Sequence, residues 1–252
     1  MQDNFENLKK SRSMARVLLI TGWGGGTGVL TPLQNSLQQL GHEVELLNIF
    51  NALDPDILQQ QTDYALNFDV LMGWSLGGEL ATVLAHEIFK RTGQTLPLVT
   101  LATNPSFVVR ENWSTAMPET TFNAFQQGFQ NDPASTLKRF GLLVTKGTST
   151  AKSDWISMQA LLKAQPLALL RQGLIMLEKL NLVEIIKNYG GFQLHIFAEH
   201  DALVPYQVVQ NMHLIATKKT KIIELASAAH SFPFTKLMET SSEIEKFIVS
   251  SV

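Results

Sequence analysis

The hexapeptide Gly73-Trp74-Ser75-Leu76-Gly77-Gly78 constrains the fold more than any other stretch of this chain. It fits the G-x-S-x-G pattern of a nucleophile elbow, in which a buried strand turns abruptly into a helix and the serine takes strained backbone angles. Glycines on both sides leave room for the crowded backbone of such a turn. The pattern demands an apolar strand before it and a helix after it, and the sequence supplies both. Phe68-Asp69-Val70-Leu71-Met72 precedes the elbow, and a helical run from Leu76 to Arg91 follows. Ser75 is then presented at the top of a sheet as a candidate nucleophile. The N–H of Leu76, one of the unpaired donors of a first helical turn, is a candidate oxyanion donor.

Strand and helix alternate through the whole N-terminal part. Arg16 to Ile20 reads as a buried strand entering the glycine-rich turn Thr21-Gly22-Trp23-Gly24-Gly25-Gly26. Leu30, Leu33, Leu37 and Leu40 recur at helical spacing, with Gly41 as a stop. Strands are expected over 42–50 and 96–102, with a short helix over 56–65 between them. From 106 to 187 the periodicity is helical without strands and carries Trp113, Phe122, Phe125, Phe129, Phe140 and Trp155. Alternation resumes with a strand at 192–198, a helix at 206–216, a strand at 221–225 and a C-terminal helix from about Phe234. The expectation is an α/β fold with a mostly parallel sheet flanked by helices. Its core is discontinuous, 14–105 and 188–252, around a helical cap at 106–187, and 1–13 is expected to be a disordered extension.

A chain of 252 residues with 45% hydrophobic content is large enough for such a core. The net charge of −2 argues against a general nucleic-acid binder, and no phosphate-binding lysine follows the glycines after Gly22. Cysteine is absent, which excludes thiol catalysis and cysteine zinc sites. The histidines form no H-E-x-x-H pair, so neither a metal nor a cofactor is expected. The first thirteen residues carry no apolar signal segment, and no run of about eighteen apolar residues exists to span a bilayer, so the cytoplasm is the default. Charge divides along the predicted boundaries: the cap is net +3 and the remainder net −5. Between 138 and 163 the cations Lys138, Arg139, Lys146, Lys152 and Lys163 face only Asp154. Such a cluster is either a solvated helical surface or a dock for an acidic partner.

An elbow serine needs a general base and a third group to orient that base. The chain order of this architecture is Ser, acid, His, with the histidine on a late loop. Among six histidines, His230 in Ala228-Ala229-His230-Ser231 fits, whereas His42, His86, His195 and His213 lie in elements and read as structural. Asp201, at the end of the preceding predicted strand, is the favoured acid, and Glu199 is its rival. The loop after the first strand should supply a second oxyanion donor, for which Trp23 is the candidate.

These residues resemble an α/β-hydrolase. More narrowly, the chain is similar to the pimeloyl-acyl carrier protein methyl ester esterases of biotin synthesis. The likeness rests on Gly22-Trp23-Gly24, the elbow, Asn104-Pro105-Ser106-Phe107, Lys138-Arg139-Phe140, Lys146-Gly147-Thr148, Asp201-Ala202-Leu203-Val204-Pro205 and Ala228-Ala229-His230. It implies hydrolysis of a methyl ester on a dicarboxylyl chain borne by acyl carrier protein, with Ser75, Asp201 and His230 as triad and Trp23 and Leu76 as oxyanion donors. It further implies a substrate channel lined by Trp23, Phe140, Val144 and His230, and carrier docking on Lys138, Arg139 and Lys152. Thr21, Ser135, Val144 and Ile156 depart from the family's usual residues. The triad alone would equally serve a short-chain carboxylesterase or a thioesterase, and a non-catalytic binding protein of the same fold is the reading from another class.

Overall fold

The apolar runs of the sequence become the strands of one sheet in the computed structural model, which describes residues 14–252; the expected extension at 1–13 lies outside the described residues. The strands are β1 (Arg16–Ile20), β2 (Glu43–Leu47), β3 (Val70–Trp74), β4 (Leu98–Leu101), β5 (Gln193–Ala198) and β6 (Thr220–Leu225). Their order is β2-β1-β3-β4-β5-β6, and every pairing is parallel. β3 and β4 are buried along their whole length, whereas the edge strands β2 and β6 are only partly so. That contrast explains why the central strands read as unbroken apolar runs.

Side chains sort by the strand period of two. Leu18, Ile20 and Leu71 pack on one face of the sheet, Val17, Leu19, Val70 and Met72 on the other. The first face is covered by α2 (Pro55–Ala65), α3 (Leu76–Thr92) and α9 (Gln207–Ile215). The second is covered by α1 (Thr31–Gln39) and, beyond the short α10 (Phe232–Thr235), by α11 (Leu237–Ser251). Local signals set the helix ends. Asp54 caps α2 by accepting from the N–H groups of Asp56 and Ile57, and Gly93 closes α3 in the left-handed conformation.

Between β4 and β5 the chain carries α4 (Glu119–Asn131), α5 (Pro133–Thr145), α6 (Ala151–Leu161), α7 (Leu167–Lys179) and α8 (Val183–Asn188). Phe122, Phe129, Leu170 and Leu174 join the first hydrophobic cluster, while Val144 and Met158 join the second. The helical segment is therefore packed continuously with the sheet core. α5 and α6 meet where the Trp155 ring lies against Gly141, at a distance that leaves no space for a Cβ.

Chain order turns back between β1 and β3, because β2 lies on one side of β1 and β3 on the other. The loops leaving these two strands open a crevice at the carboxyl edge of the sheet, the usual ligand position in such folds. α3 starts hard against β1: a Cβ on Gly77 would fall on the carbonyl oxygens of Ile20 and Thr21. Gly77→Ala is expected to lower unfolding free energy by about 1–3 kcal/mol through overpacking, measured as a reduced urea midpoint at unchanged m-value.

Candidate active site

Ser75 sits between β3 and α3 with φ 56° and ψ −123°. A non-glycine residue held there stores about 1–3 kcal/mol of strain, which the surroundings must over-determine. They do so through three hydrogen bonds. The Ser75 N–H donates to Leu101 O at 2.8 Å, and Ser75 O accepts from Gly78 N at 2.9 Å and from Thr103 Oγ1 at 3.0 Å. Gly73 and Gly78 are needed for space, since a Cβ on either would run into Gly77 backbone or the Thr103 side chain.

His230 follows β6 in the loop of small residues and is fully buried. Its Nδ1 faces Asp201 Oδ2 at 2.7 Å, with both side chains at most 2% exposed. The other Asp201 oxygen accepts from the N–H groups of Leu203 and Val204, at 2.8 and 2.9 Å. Asp201 is thus saturated with donors and fixed in direction, so Nδ1 of His230 is the protonated nitrogen and Nε2 the free base. Nε2 is buried and has no hydrogen-bond partner. Trp74, the neighbour of Ser75, fixes the loop by donating its indole N–H to His230 O at 3.0 Å. Glu199, the rival acid, is turned away: it is about half exposed and accepts from Ser227 N at 2.7 Å. His42 and His195 are built into the core. His42 Nε2 meets Glu245 at 2.5 Å, and burial pulls the His195 pKa down to about 3, leaving it neutral beside Thr100.

The glycine-rich turn after β1 lies against the elbow, where a Cβ on Gly22 would approach Ser75 Cβ to 3.2 Å. Thr21 Oγ1 closes this turn by donating to Gly26 O at 2.8 Å. Trp23 itself is buried; its indole N–H donates to Leu170 O of α7 at 2.8 Å, and its ring meets Phe125, Phe129 and Phe140 edge-on. The Leu76 N–H is the first of α3 and has no intrahelical acceptor.

An apolar cavity opens onto Ser75, walled by Trp23, Phe125, Phe140, Leu143 and Leu203. The structure thus brings Trp23 and Phe140 of the expected channel to Ser75. Val144 is placed elsewhere, fully buried in the hydrophobic cluster that includes Met158, because one residue along a helix turns the side chain by about 100°. Leu143 takes the cavity position, at i+3 from Phe140, a spacing the sequence contained. Lys138, Arg139 and Lys152 are exposed on α5 and α6 and enter no ion pair among the described residues. Among the described residues, no group of three His, Cys, Asp or Glu side chains could hold a metal ion, and no helix is long and apolar enough to cross a membrane.

The fold is that of the α/β-hydrolases. A bromoperoxidase from Bacillus anthracis superposes with TM-score 0.76 at 16% identity, and an esterase from Exiguobacterium antarcticum with TM-score 0.73 at 18%; each alignment covers 94% of this chain and 92% of the other. No protein-family model matches the chain. Among sequences, the pimeloyl-[acyl-carrier protein] methyl ester esterase of Shewanella woodyi is 32% identical over 203 residues, 76% of this chain and 78% of that protein. Its namesake from Salmonella typhimurium is 35% identical over 168 residues, 66% of this chain. The chain spans 63% of the length of the Salmonella relatives it matches. The chain belongs to the family of pimeloyl-[acyl-carrier protein] methyl ester esterases.

One buried acid was not singled out from the sequence. Glu79, on the first turn of α3, is fully buried, and neither carboxyl oxygen has a hydrogen-bond partner. Burial pushes its pKa well above the usual carboxylate range, opposed only in part by the Arg110 charge. A raised folded-state pKa means that stability is greatest below the unfolded value of 4.5 and declines as pH rises toward the folded one. Each pH unit in that window costs about 1.4 kcal/mol. Glu79→Gln is therefore expected to gain stability over wild type as pH rises above about 4.5, measured by urea unfolding across the acid-to-neutral range. A pH-independent difference between the two proteins would refute the assignment.

Proposed function

We propose that the protein is a serine carboxylesterase that hydrolyses the methyl ester of pimeloyl-acyl carrier protein to the free acid and methanol. The observation that carries this reading is the buried Asp201–His230 hydrogen bond with a free Nε2, in a loop held by Trp74, the chain neighbour of a strained serine that opens into an apolar cavity. In this mechanism Nε2 of His230 takes the Ser75 hydroxyl proton as Oγ attacks the ester carbonyl. The oxyanion is held by the N–H groups of Trp23 and Leu76. The tetrahedral intermediate collapses as His230 returns the proton to the departing methoxide, giving methanol and an acyl-Ser75 ester. Water, deprotonated by His230, then attacks the acyl carbon, and Ser75 leaves with the proton. Asp201 keeps the imidazole in the required tautomer throughout and stabilises its protonated form.

The apolar walls of the cavity, mostly aromatic and leucine side chains, support an aliphatic group rather than a charged one next to Ser75. Family membership and the exposed cations Lys138, Arg139 and Lys152 of α5 and α6 support an acidic carrier as the partner. Attraction of that kind acts mainly on encounter rate and weakens with salt.

Ser75→Ala is expected to lower kcat on a methyl ester by up to about 10⁶-fold, and Asp201→Asn by about 10⁴-fold. The physiological reading is tested by complementation. The wild type should rescue a biotin auxotroph lacking its pimeloyl ester esterase, and Ser75→Ala should not. Absence of rescue by a protein active on short esters would assign it as a general carboxylesterase. Reversing Lys138, Arg139 and Lys152 to Glu is expected to raise KM for a carrier-borne ester by at least about tenfold at low salt, leaving kcat/KM for a free methyl ester within about twofold. An equal loss on both substrates would count against docking at these residues.

A further inference from the structure

We propose that Gly147, in the turn between α5 and α6, is a positioning residue that sets the direction of Asp201 through the His200 peptide. This rests on the triad reading above. Gly147 has φ +121°, and a Cβ built on it would fall on the His200 carbonyl oxygen and lie 2.9 Å from His200 Cβ. That carbonyl belongs to the peptide unit whose nitrogen is Asp201 N, so the turn presses on the plane from which the Asp201 side chain springs. The remaining supports of this loop are on other sides. Glu199 N–H donates to Leu225 O at 3.1 Å and His200 N–H to Ala228 O at 2.9 Å, tying the loop to the end of β6. Leu203 and Val204 hold Asp201 Oδ1 from beyond. Asp201 N–H donates to Ala198 O at 3.4 Å, and the Gly147 backbone packs against the His200 peptide, where only glycine provides both the positive φ and the space.

The contact joins parts that are otherwise far apart in sequence. α5 carries Phe140 and Leu143 of the cavity wall, α6 carries Lys152, and the turn between them bears on the acid loop. The turn that ends the cavity-lining helix α5 thereby also sets the hydrogen-bond geometry of the general base. Displacements of about 1 Å in such groups can cost about 10²-fold in rate. The loss falls mainly on kcat, because the imidazole is mis-aimed while the cavity walls on Trp23 and α4 stay in place.

Gly147→Ala in the full chain is compared with Gly41→Ala and Asp201→Asn. Gly41 is the control for backbone strain: it has φ +101° but nothing within 4 Å of its would-be Cβ. Kinetics are measured on a free methyl ester that needs no carrier, and the low-field proton resonance of the His230 Nδ1–H bonded to Asp201 is recorded by NMR. The expected result for Gly147→Ala is a kcat reduced about 10–100-fold with KM within about twofold, and a low-field resonance displaced or lost as in Asp201→Asn. Gly41→Ala should keep both at wild-type values. If Gly147→Ala is too unstable to purify, insertion of one glycine after Gly147, which withdraws the contact without adding a Cβ, carries the same expectation. Wild-type kcat and resonance in either Gly147 variant, or equal losses in Gly41→Ala, overturn the proposal. An Asp201→Asn protein as active as wild type would overturn the triad reading and this proposal with it.

Discussion

Everything at the carboxyl edge of the sheet depends on how closely α3 approaches the end of β1. Gly77 lies against the carbonyls of Ile20 and Thr21, and Gly73 against the backbone of Gly77. This contact forces the chain to reverse within one residue, so Ser75 takes a backbone conformation it would otherwise avoid. Strain of about 1–3 kcal/mol is tolerable because the neighbouring strand clamps the turn, β4 through Leu101 O and the segment after it through Thr103. The same approach brings the glycine-rich turn after β1 beside the serine, so one packing decision places both the hydroxyl and the candidate oxyanion donors.

The polar groups around this turn are treated in two opposite ways. The Asp201 side chain is almost completely buried, yet both of its carboxylate oxygens accept hydrogen bonds from donors. Buried charge is tolerable on those terms and fixes a unique side-chain direction. Glu79, one helical turn beyond Ser75, is equally buried and has no such partners, so burial favours its neutral form. A carboxyl group's position in the fold matters less than the number of N–H groups aimed at it.

The strands and the site differ in how openly the sequence states them. Central strands such as β3 and β4 are buried on both faces and show as apolar runs bounded by glycine or proline, and β1 was readable to the residue. The edge strand β2 was read three residues too long at its C-terminal end, because Ile49 and Phe50 are buried by packing outside the sheet. Strand order could not be read, since it depends on which helix face meets which strand face and not on local pattern. In the site, motif spacing singled out Ser75, Asp201 and His230, because each sits at a strand end with a recognisable turn. Distinguishing Leu143 from Val144 required the rotation of α5 about its axis, which an apolar pair within an amphipathic helix leaves undetermined.

Trp23 belongs to two structures at once. Its backbone forms the turn beside Ser75, while its indole is hydrogen-bonded to Leu170 O and enclosed by three phenylalanine rings from α4 and α5. The helices above the site are therefore not an interchangeable lid. Grafting helices from another scaffold onto this sheet would strand a buried indole N–H without an acceptor, at a cost of about 1–3 kcal/mol, and would unseat the turn that lies against the serine. Diversification of this scaffold by exchange of its roof is obstructed at one tryptophan, whereas exchange of exposed side chains on the outer faces of α5 and α6 is not.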